Sequence, residues 1–256
     1  MKVVSVINQK GGVGKTTTAE AIASGLKLKG YRVLSIDLDA QGNFSHTAGL
    51  QQSEGSSLEM LLGRETALAS IQHTEFSDIL PSSEDLVGAD AILTKVGKEY
   101  RLSEALEPIK NSYEYVVIDT PPELGILTVN ALTASQHVVI PAQADLYSLM
   151  GIRQLNETIE TVRKYCNSNL KVDGIVLTRY NPRVVLNRES ATQASAIAAE
   201  MGTRIFNATI REGVAVREAQ ACQKSIFTYA PKANVTMDYD DFLAELIDRW
   251  KEGPNG

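Results

Sequence analysis

The chain is poor in the residues that most directly announce chemistry. Its 256 residues include two cysteines, Cys166 and Cys222, and neither belongs to a C-x-x-C pair. That spacing excludes a disulfide framework and a thiolate zinc site, and both are read as reduced core thiols of a cytosolic protein. His46, His73 and His137 show no metal-ligand spacing and are read as structural or surface residues. No apolar run approaches a membrane span. The run at Val3 is too short for a signal peptide and belongs to a strand. No Pro/Gly/Ser linker, internal repeat or low-complexity tract divides the chain, so one domain over residues 1–256 is expected. The hydrophobic fraction of 43% suffices for a sizeable core.

Positive charge is also scarce. The formal net charge of −6 does not advertise a nucleic-acid binder. The imbalance lies in residues 1–150, where 11 Lys and Arg face 18 Asp and Glu, while residues 151–256 hold 14 against 13. Within 179–224 the balance is locally positive, with 7 basic residues against 4 acidic ones.

What the chain does have is concentrated near its start. Val3-Val4-Ser5-Val6-Ile7 reads as a buried strand, and Thr18 to Leu28 as a helix. Between them lies Lys10-Gly11-Gly12-Val13-Gly14-Lys15-Thr16-Thr17. Strand, glycine loop and helix in that order make a phosphate cradle. Glycines let successive N–H groups converge on one anion, and the helix N-terminus adds partial positive charge. Lys15 is placed to reach the β- and γ-phosphates, with the Thr16 hydroxyl on Mg²⁺.

The strict G-x-x-x-x-G-K-[ST] pattern is not met, because position 9 is Gln9 and a second lysine, Lys10, opens the loop. The form K-G-G-x-G-K-T resembles the deviant Walker A motif of the ParA/MinD superfamily. The resemblance implies that Lys10 reaches across a dimer interface to the partner's nucleotide. It also implies that residues 10 to 17 bind ATP.

The later motifs agree. Arg32 to Ile36 reads as a strand ending in Asp37-Leu38-Asp39, whose two acids point the same way at the carboxyl edge of a parallel sheet, where ligands bind. Asp37 through Asn43 resembles the family's D-x-D-x-Q-G-N segment, which implies that Asp39 orients the attacking water and that Asp37 lies near the metal. Tyr115 to Asp119 reads as a second strand closed by an acid, the Walker B arrangement that holds Mg²⁺ through water. Thr120-Pro121-Pro122 then forbids immediate helix continuation. Glu123 to Ala134 resembles the family's helix after Walker B. Residues 44–111 carry no catalytic pattern. They read as a helix over 57–62, a strand end over Ile79-Leu80-Pro81-Ser82-Ser83, a helix capped by Ser83 and running to about Leu93, and another over 100–110.

The second half is read with fewer anchors. His137 to Pro141 and Val172 to Thr178 are strands. Tyr147 to Cys166 is an amphipathic helix with Leu149, Ile152, Leu155, Ile159 and Val162 at helical spacing. After the second strand comes Arg179-Tyr180-Asn181-Pro182. In the family this segment recognises adenine, which makes Asn181 the candidate, and an Asn-Pro turn is the competing reading. Ile205 to Ile210 reads as a strand. Arg211 to Ala219 aligns with the family's I-P-R-x-x-x-x-x-E-A segment, but Arg211 replaces proline and Glu212 replaces arginine. Some partition ATPases carry a DNA-contacting arginine where this chain has Ala215. Arg211, Arg217 and Lys224 are therefore the DNA candidates, and Arg211 is also a nucleotide candidate. The terminal helix, from Asp238 to Lys251, is acidic. A membrane-targeting helix would be basic, so this one is read as docked on the domain.

Alternating βα units predict a doubly wound, mostly parallel sheet with helices on both faces. The resemblance implies a small ParA/Soj-type partition ATPase, expected to lack an N-terminal DNA-binding domain because the sequence opens at the first strand. Expected cofactors are ATP and Mg²⁺. Expected partners are a second copy in the ATP state, nonspecific DNA and a ParB-like centromere-binding protein, with no membrane. The expected location is the cytoplasm, on the nucleoid when ATP-bound. Competing readings are a ParA-like ATPase that positions another cargo and a MinD-like regulator. A nitrogenase-reductase-like carrier is disfavoured, since no cysteine lies between Asp119 and Cys166.

Overall fold

The computed structural model describes residues 1–50 and 56–252. In chain order the elements are β1 (Lys2–Val6), α1 (Lys15–Leu28), β2 (Val33–Asp37), α2 (Asn43–Thr47), α3 (Ser57–Leu61), α4 (Ala67–Ser70), β3 (Gln72–His73), β4 (Asp78–Leu80), α5 (Ala89–Ile92), α6 (Arg101–Leu106), β5 (Tyr115–Asp119), α7 (Ile126–Ala134), β6 (His137–Gln143), α8 (Leu146–Tyr165), β7 (Lys171–Thr178), α9 (Val185–Glu200), α10 (Val214–Ala221), α11 (Ile226–Tyr229) and α12 (Asn234–Glu252). The seven strands form one sheet in the order β3-β4-β2-β5-β1-β6-β7. Every pairing is parallel except the short β3–β4 edge, as the doubly wound reading expects.

Strand parity sorts the core into layers, because alternate side chains leave opposite faces of a strand. Val4, Val6, Val117, Val139 and Val176 point to the face covered by α1 and α12. Val3, Leu34, Ile36, Val116 and Ile118 point to the other face, against α3, α6 and α7. Farther along that face, Val138, Ile140, Ile175 and Leu177 meet α8 and α9. Strands buried on both faces require the near-continuous apolar runs seen in the sequence.

The terminal helix docks as expected and begins earlier, at Asn234. Phe242, Leu243 and Leu246 are fully buried against the sheet, each stabilising by about 1.5–3 kcal/mol. At its end Trp250 stacks on Tyr115 and donates to Asp173 Oδ2 at 2.8 Å.

Three local expectations need correction. Residues 205–210 form no strand: Ile205 and Ile210 make only isolated bridges to β7. The intervening N–H groups of Asn207 and Ala208 donate instead to the Glu245 carboxylate on α12, at 3.1 Å each. The Ser83 helix is a 3₁₀ turn over Glu84–Gly88 followed by α5, although Ser83 Oγ does cap it by accepting from Asp85 N. The helix after Asp119 starts at Ile126, because the two prolines and the bends that follow them are non-helical and Gly125, the N-cap, is extended. The long helix α9 had no counterpart in the sequence reading.

Candidate functional site

The carboxyl ends of β1, β2 and β5 meet the glycine loop at one cleft of about 720 Å³. Its walls include Gly11, Gly12, Gly14, Lys15, Thr16, Thr17 and Asp39, together with Pro121, Pro122 and Glu123. The cleft thus brings together the loop residues and Asp39 that the sequence singles out. Gly12 and Gly14 adopt φ of 74° and 87°, a left-handed backbone that other residues enter at a cost. The loop is anchored by the carboxyl ends of β6 and β7. Thr178 Oγ1 donates to Val13 O at 2.8 Å and Gln143 Nε2 to Gly12 O at 3.1 Å. Helix α1 begins with no side-chain cap and no acid in its first turn, so its leading N–H groups are open to an anion.

Lys15 is buried, with its ammonium 3.3 Å from the Lys10 carbonyl. Burial pulls its pKa down, and the carboxylates of Asp119, Asp39 and Glu123 oppose that shift. Asp119 is fully buried, and among the described residues neither oxygen meets hydrogen-bond geometry with a partner, although the Thr16 hydroxyl is near enough to favour its charged form. Burial and neighbouring Asp37 raise its pKa well above the ordinary value, while the Thr16 hydroxyl and Lys15 pull the other way. An unsatisfied buried carboxylate beside a hydroxyl and a phosphate cradle fits a hard divalent cation. Among the described residues no group of three or more His, Cys, Asp or Glu forms an all-protein metal cage. One carboxylate plus substrate phosphates is the usual set for Mg²⁺.

Asp37 was expected near the metal. It lies beside Asp119 in the ladder and is equally buried, but its oxygens are engaged. Oδ1 accepts from Asp39 N at 3.1 Å, and Oδ2 accepts from Ser45 N at 2.9 Å and Ser45 Oγ at 2.7 Å. Burial still raises its pKa, to about 6. Those bonds hold the turn that carries Asp39 into the cleft. Asp39 in turn accepts from Gln41 N at 3.0 Å.

Lys10 is outside the cleft wall. Its ammonium is 2.9 and 2.8 Å from the two oxygens of Asp145 and 3.3 Å from Ser148 Oγ. Asp145 is also the N-cap of α8, accepting from Ser148 N at 2.9 Å. Burial pushes the Asp145 carboxyl up, but bonds from Lys10 and Ser148 outweigh it and hold the carboxyl below its ordinary value. Sequence reasoning missed Asp145; an acid between a strand and an amphipathic helix, in the pattern Asp-x-x-Ser, was the available signal.

The adenine candidate is not brought to the cleft. Asn181 Oδ1 accepts from Arg183 N at 3.0 Å, so the Asn-Pro turn engages it. Its neighbour Arg179, strained at φ 49°, lines the cleft and also a smaller adjoining pocket of about 80 Å³. That pocket is bounded by Gly14, Thr17, Arg211, Gly213, Arg217 and Tyr239. Arg211 is tied down there. Its Nε and Nη2 reach the two oxygens of Asp238 at 2.7 and 2.8 Å. Arg217 and Lys224 are exposed and make no side-chain hydrogen bond or ion pair among the described residues.

The segment over 44–111 also contributes more than its sequence promised. His46, Thr47, Leu86 and Asp90 all line the cleft. A second buried acid, Glu20, lies behind the loop. Gln220 Nε2 on α10 donates to its Oε2 at 3.0 Å and to Thr17 Oγ1 at 3.3 Å, while Oε1 is unpartnered.

A glycine cradle, a buried lysine on it and an unpaired strand-end carboxylate beside it define a P-loop nucleotide-binding protein. The second lysine marks the deviant Walker A kind. A family model described as an AAA domain matches residues 1–172. The chromosome partitioning protein ParA of Caulobacter vibrioides is 37% identical over 259 residues, covering 98% of this chain and 96% of that protein. The sporulation initiation inhibitor protein Soj of Bacillus subtilis is 35% identical over 250 residues, 96% of this chain and 98% of its own. The chain belongs to the ParA/Soj family of ATPases. Among solved structures, cobyrinic acid a,c-diamide synthase from Mycobacterium smegmatis with bound ADP and magnesium superposes with a TM-score of 0.86 at 32% identity. It covers 99% of this chain and 96% of that one. Apo McdA superposes at 0.87 with 20% identity, covering 96% of this chain and 99% of that one, a likeness of fold alone.

Proposed function

We propose that this protein is a single-domain, Mg²⁺-dependent partition ATPase of the cytoplasm, cycling between a monomer and an ATP-bound dimer that binds DNA without sequence preference. A centromere-binding partner of the ParB kind stimulates hydrolysis and releases it. The observation that carries the ATPase half is Asp119, a buried carboxylate with no partner, set against Lys15 and Thr16 at the floor of a phosphate cradle. Support for partition comes from relatives named for chromosome partitioning that align over nearly the whole chain.

In this reading Thr16 and Asp119 hold Mg²⁺, which neutralises charge on the phosphate oxygens when bound. Lys15 faces the β- and γ-phosphates and stabilises the charge that grows on the transferring group. Asp39 orients the attacking water, and Asp37 keeps the Asp39 turn in place. The N–H groups of the loop and of α1 fix the phosphates. The base enters the side pocket beside Arg179 and Gly213. Lys10 leaves Asp145 to complete the partner's site. Arg217 and Lys224, unpaired and exposed, contact DNA, whereas Arg211 stays with Asp238.

A membrane-cycling role is disfavoured by α12, whose apolar face is buried in the core. Among the described residues, no helix is long and apolar enough to cross a membrane. The test is a mobility shift on random-sequence DNA with ATP, ADP or no nucleotide. An ATP-dependent, salt-sensitive shift is expected. ATP hydrolysis without any shift at low salt would leave an ATPase with another cargo, the alternative reading.

A further inference from the structure

We propose that Asp90 is a positioning residue for hydrolysis: from α5 it anchors the start of α7 and so fixes residues 120–125 against the cleft. The inference rests on the ATPase reading above. Asp90 Oδ1 accepts from Ile126 N at 3.0 Å across 36 residues of sequence. Helix α7 needs this bond from outside, because its N-cap is Gly125 and its first turn contains no acid. The fit is close. A Cβ placed on Gly125 would lie 2.5 Å from Asp90 Oδ2 and 3.2 Å from its Cγ. Gly125 has an ordinary extended φ of −88°, so what a side chain there would meet is the Asp90 carboxylate, which would have to move aside and loosen its bond to Ile126.

What Asp90 holds matters because of where the segment runs. Residues 120–125 connect the metal-facing Asp119 to α7, and Pro121, Pro122, Glu123 and Gly125 line the cleft with Lys15 and Asp39. Two other bonds steady the segment. Thr120 Oγ1 donates to Val6 O at 2.9 Å and Thr128 Oγ1 to Glu123 O. One joins it to its neighbouring strand and the other to its own helix. Asp90 is the tether from the helical layer outside. Farther along α7, Asn130 accepts from Leu102 N at 3.1 Å and donates to Lys98 O at 2.8 Å. Residues 90–102 thus grip α7 at its start and at its middle. Displacing Glu123 and the two prolines by about 1 Å disturbs the ground that faces the γ-phosphate, and misplacements of that size cost up to about 100-fold in rate.

The test is a set of variants read by three measurements: steady-state kcat, ATP affinity from equilibrium binding, and amide hydrogen exchange of residues 120–128 in nucleotide-free protein. Asp90→Ala is expected to lower kcat about tenfold, keep ATP affinity within about twofold, and speed exchange at Ile126. Asp90→Asn keeps a carbonyl acceptor and is expected to behave as wild type. Gly125→Ala is expected to lower kcat in the wild-type background and to do far less in the Asp90→Ala background, where its obstacle is gone. The proposal is overturned by any of three results: unchanged exchange and kcat in Asp90→Ala, parallel loss of affinity and kcat, or equal damage from Gly125→Ala with and without Asp90. Should the wild-type protein hydrolyse no ATP, the ATPase reading fails, and the exchange measurement still decides whether Asp90 tethers α7.

Discussion

The carboxyl ends of β2 and β5 are neighbours in the ladder, and each closes an apolar strand with an aspartate that is fully buried. They differ in what surrounds the acid. At the end of β2 the chain turns back through α2, so Asp37 collects three hydrogen bonds from Asp39 and Ser45. At the end of β5 the prolines carry the chain away, and among the described residues Asp119 has only the Thr16 hydroxyl nearby and no bond of full geometry. A buried carboxylate without partners is costly, and a fold retains one where a ligand supplies what the protein does not. Equal burial and equal position thus conceal a difference in partners: Asp37 is spent on Asp39 and Ser45, whereas Asp119 is left open for the cation that the proposed function assigns to it.

The strongest way to break this contrast is Asp119→Asn. Mg²⁺-dependent hydrolysis is expected to fall by about 100-fold or more, as for loss of one charge-stabilising group. The nucleotide-free protein should be no less stable, because a buried carboxyl whose charged form burial and Asp37 disfavour is replaced by a neutral amide. A thermal melt alongside a phosphate-release assay checks both. A variant that hydrolyses normally would show that the cation is held elsewhere.

Glu20 sharpens the comparison from a third position, since it is buried with one satisfied oxygen and one unpartnered one. Burial raises its pKa to about 8, and nearby Asp37 adds to the shift while the Gln220 bond opposes it. An acid with a folded pKa above its unfolded value is protonated in the native state where the unfolded state has already ionised. The native state then binds more protons, so stability falls as pH rises from about 4.5 to about 8. Glu20→Gln should remove this slope. It should match wild type near pH 5 and exceed it above pH 8 by on the order of a few kcal/mol, measured by denaturant titration.

Asp37→Ala is expected to act in the opposite sense to Asp119→Asn. It leaves the Ser45 and Asp39 donors without acceptors in a dry site, which costs about 2–3 kcal/mol. Urea unfolding should show that loss, and hydrolysis should fall less than in Asp119→Asn. Loss of activity with no loss of stability would instead mark Asp37 as a direct metal ligand.

Much of this was legible in the sequence, for a local reason. The cradle, the strand-end acids and the terminal helix are each encoded within a few residues, by glycine placement, β-rich runs and apolar periodicity. Legibility failed where a distant partner decides. Nothing near Asn207 foretells that Glu245 takes its N–H, and nothing near Asp90 foretells Ile126. Asp37 and Asp119 look alike until Ser45 folds over one of them. Asn181 was a true ambiguity between base recognition and an Asx turn, and its side-chain oxygen is engaged by Arg183.

The same dependence on distant partners sets the smallest expected effect, at Lys10. Its ammonium lies 135 residues in sequence from the Asp145 carboxylate that holds it, in a pair whose side chains are each about one-third exposed. If Lys10 acts in a partner's site, it must first leave Asp145. Breaking the pair therefore favours the dimer by whatever the pair contributes to the monomer. A partly exposed pair is worth about 0.2–1 kcal/mol, so the shift in dimerisation is only a few-fold. Asp145→Asn isolates that contribution, because asparagine caps a helix as well as aspartate does and α8 keeps its N-cap. Sedimentation at graded protein concentration with a slowly hydrolysed ATP analogue should show Asp145→Asn dimerising at a few-fold lower concentration than wild type. The difference should shrink as salt rises, since screening weakens the pair in the wild-type monomer first. Weaker dimerisation of Asp145→Asn would mean that Asp145 serves the dimer, presenting Lys10 across the interface and not restraining it.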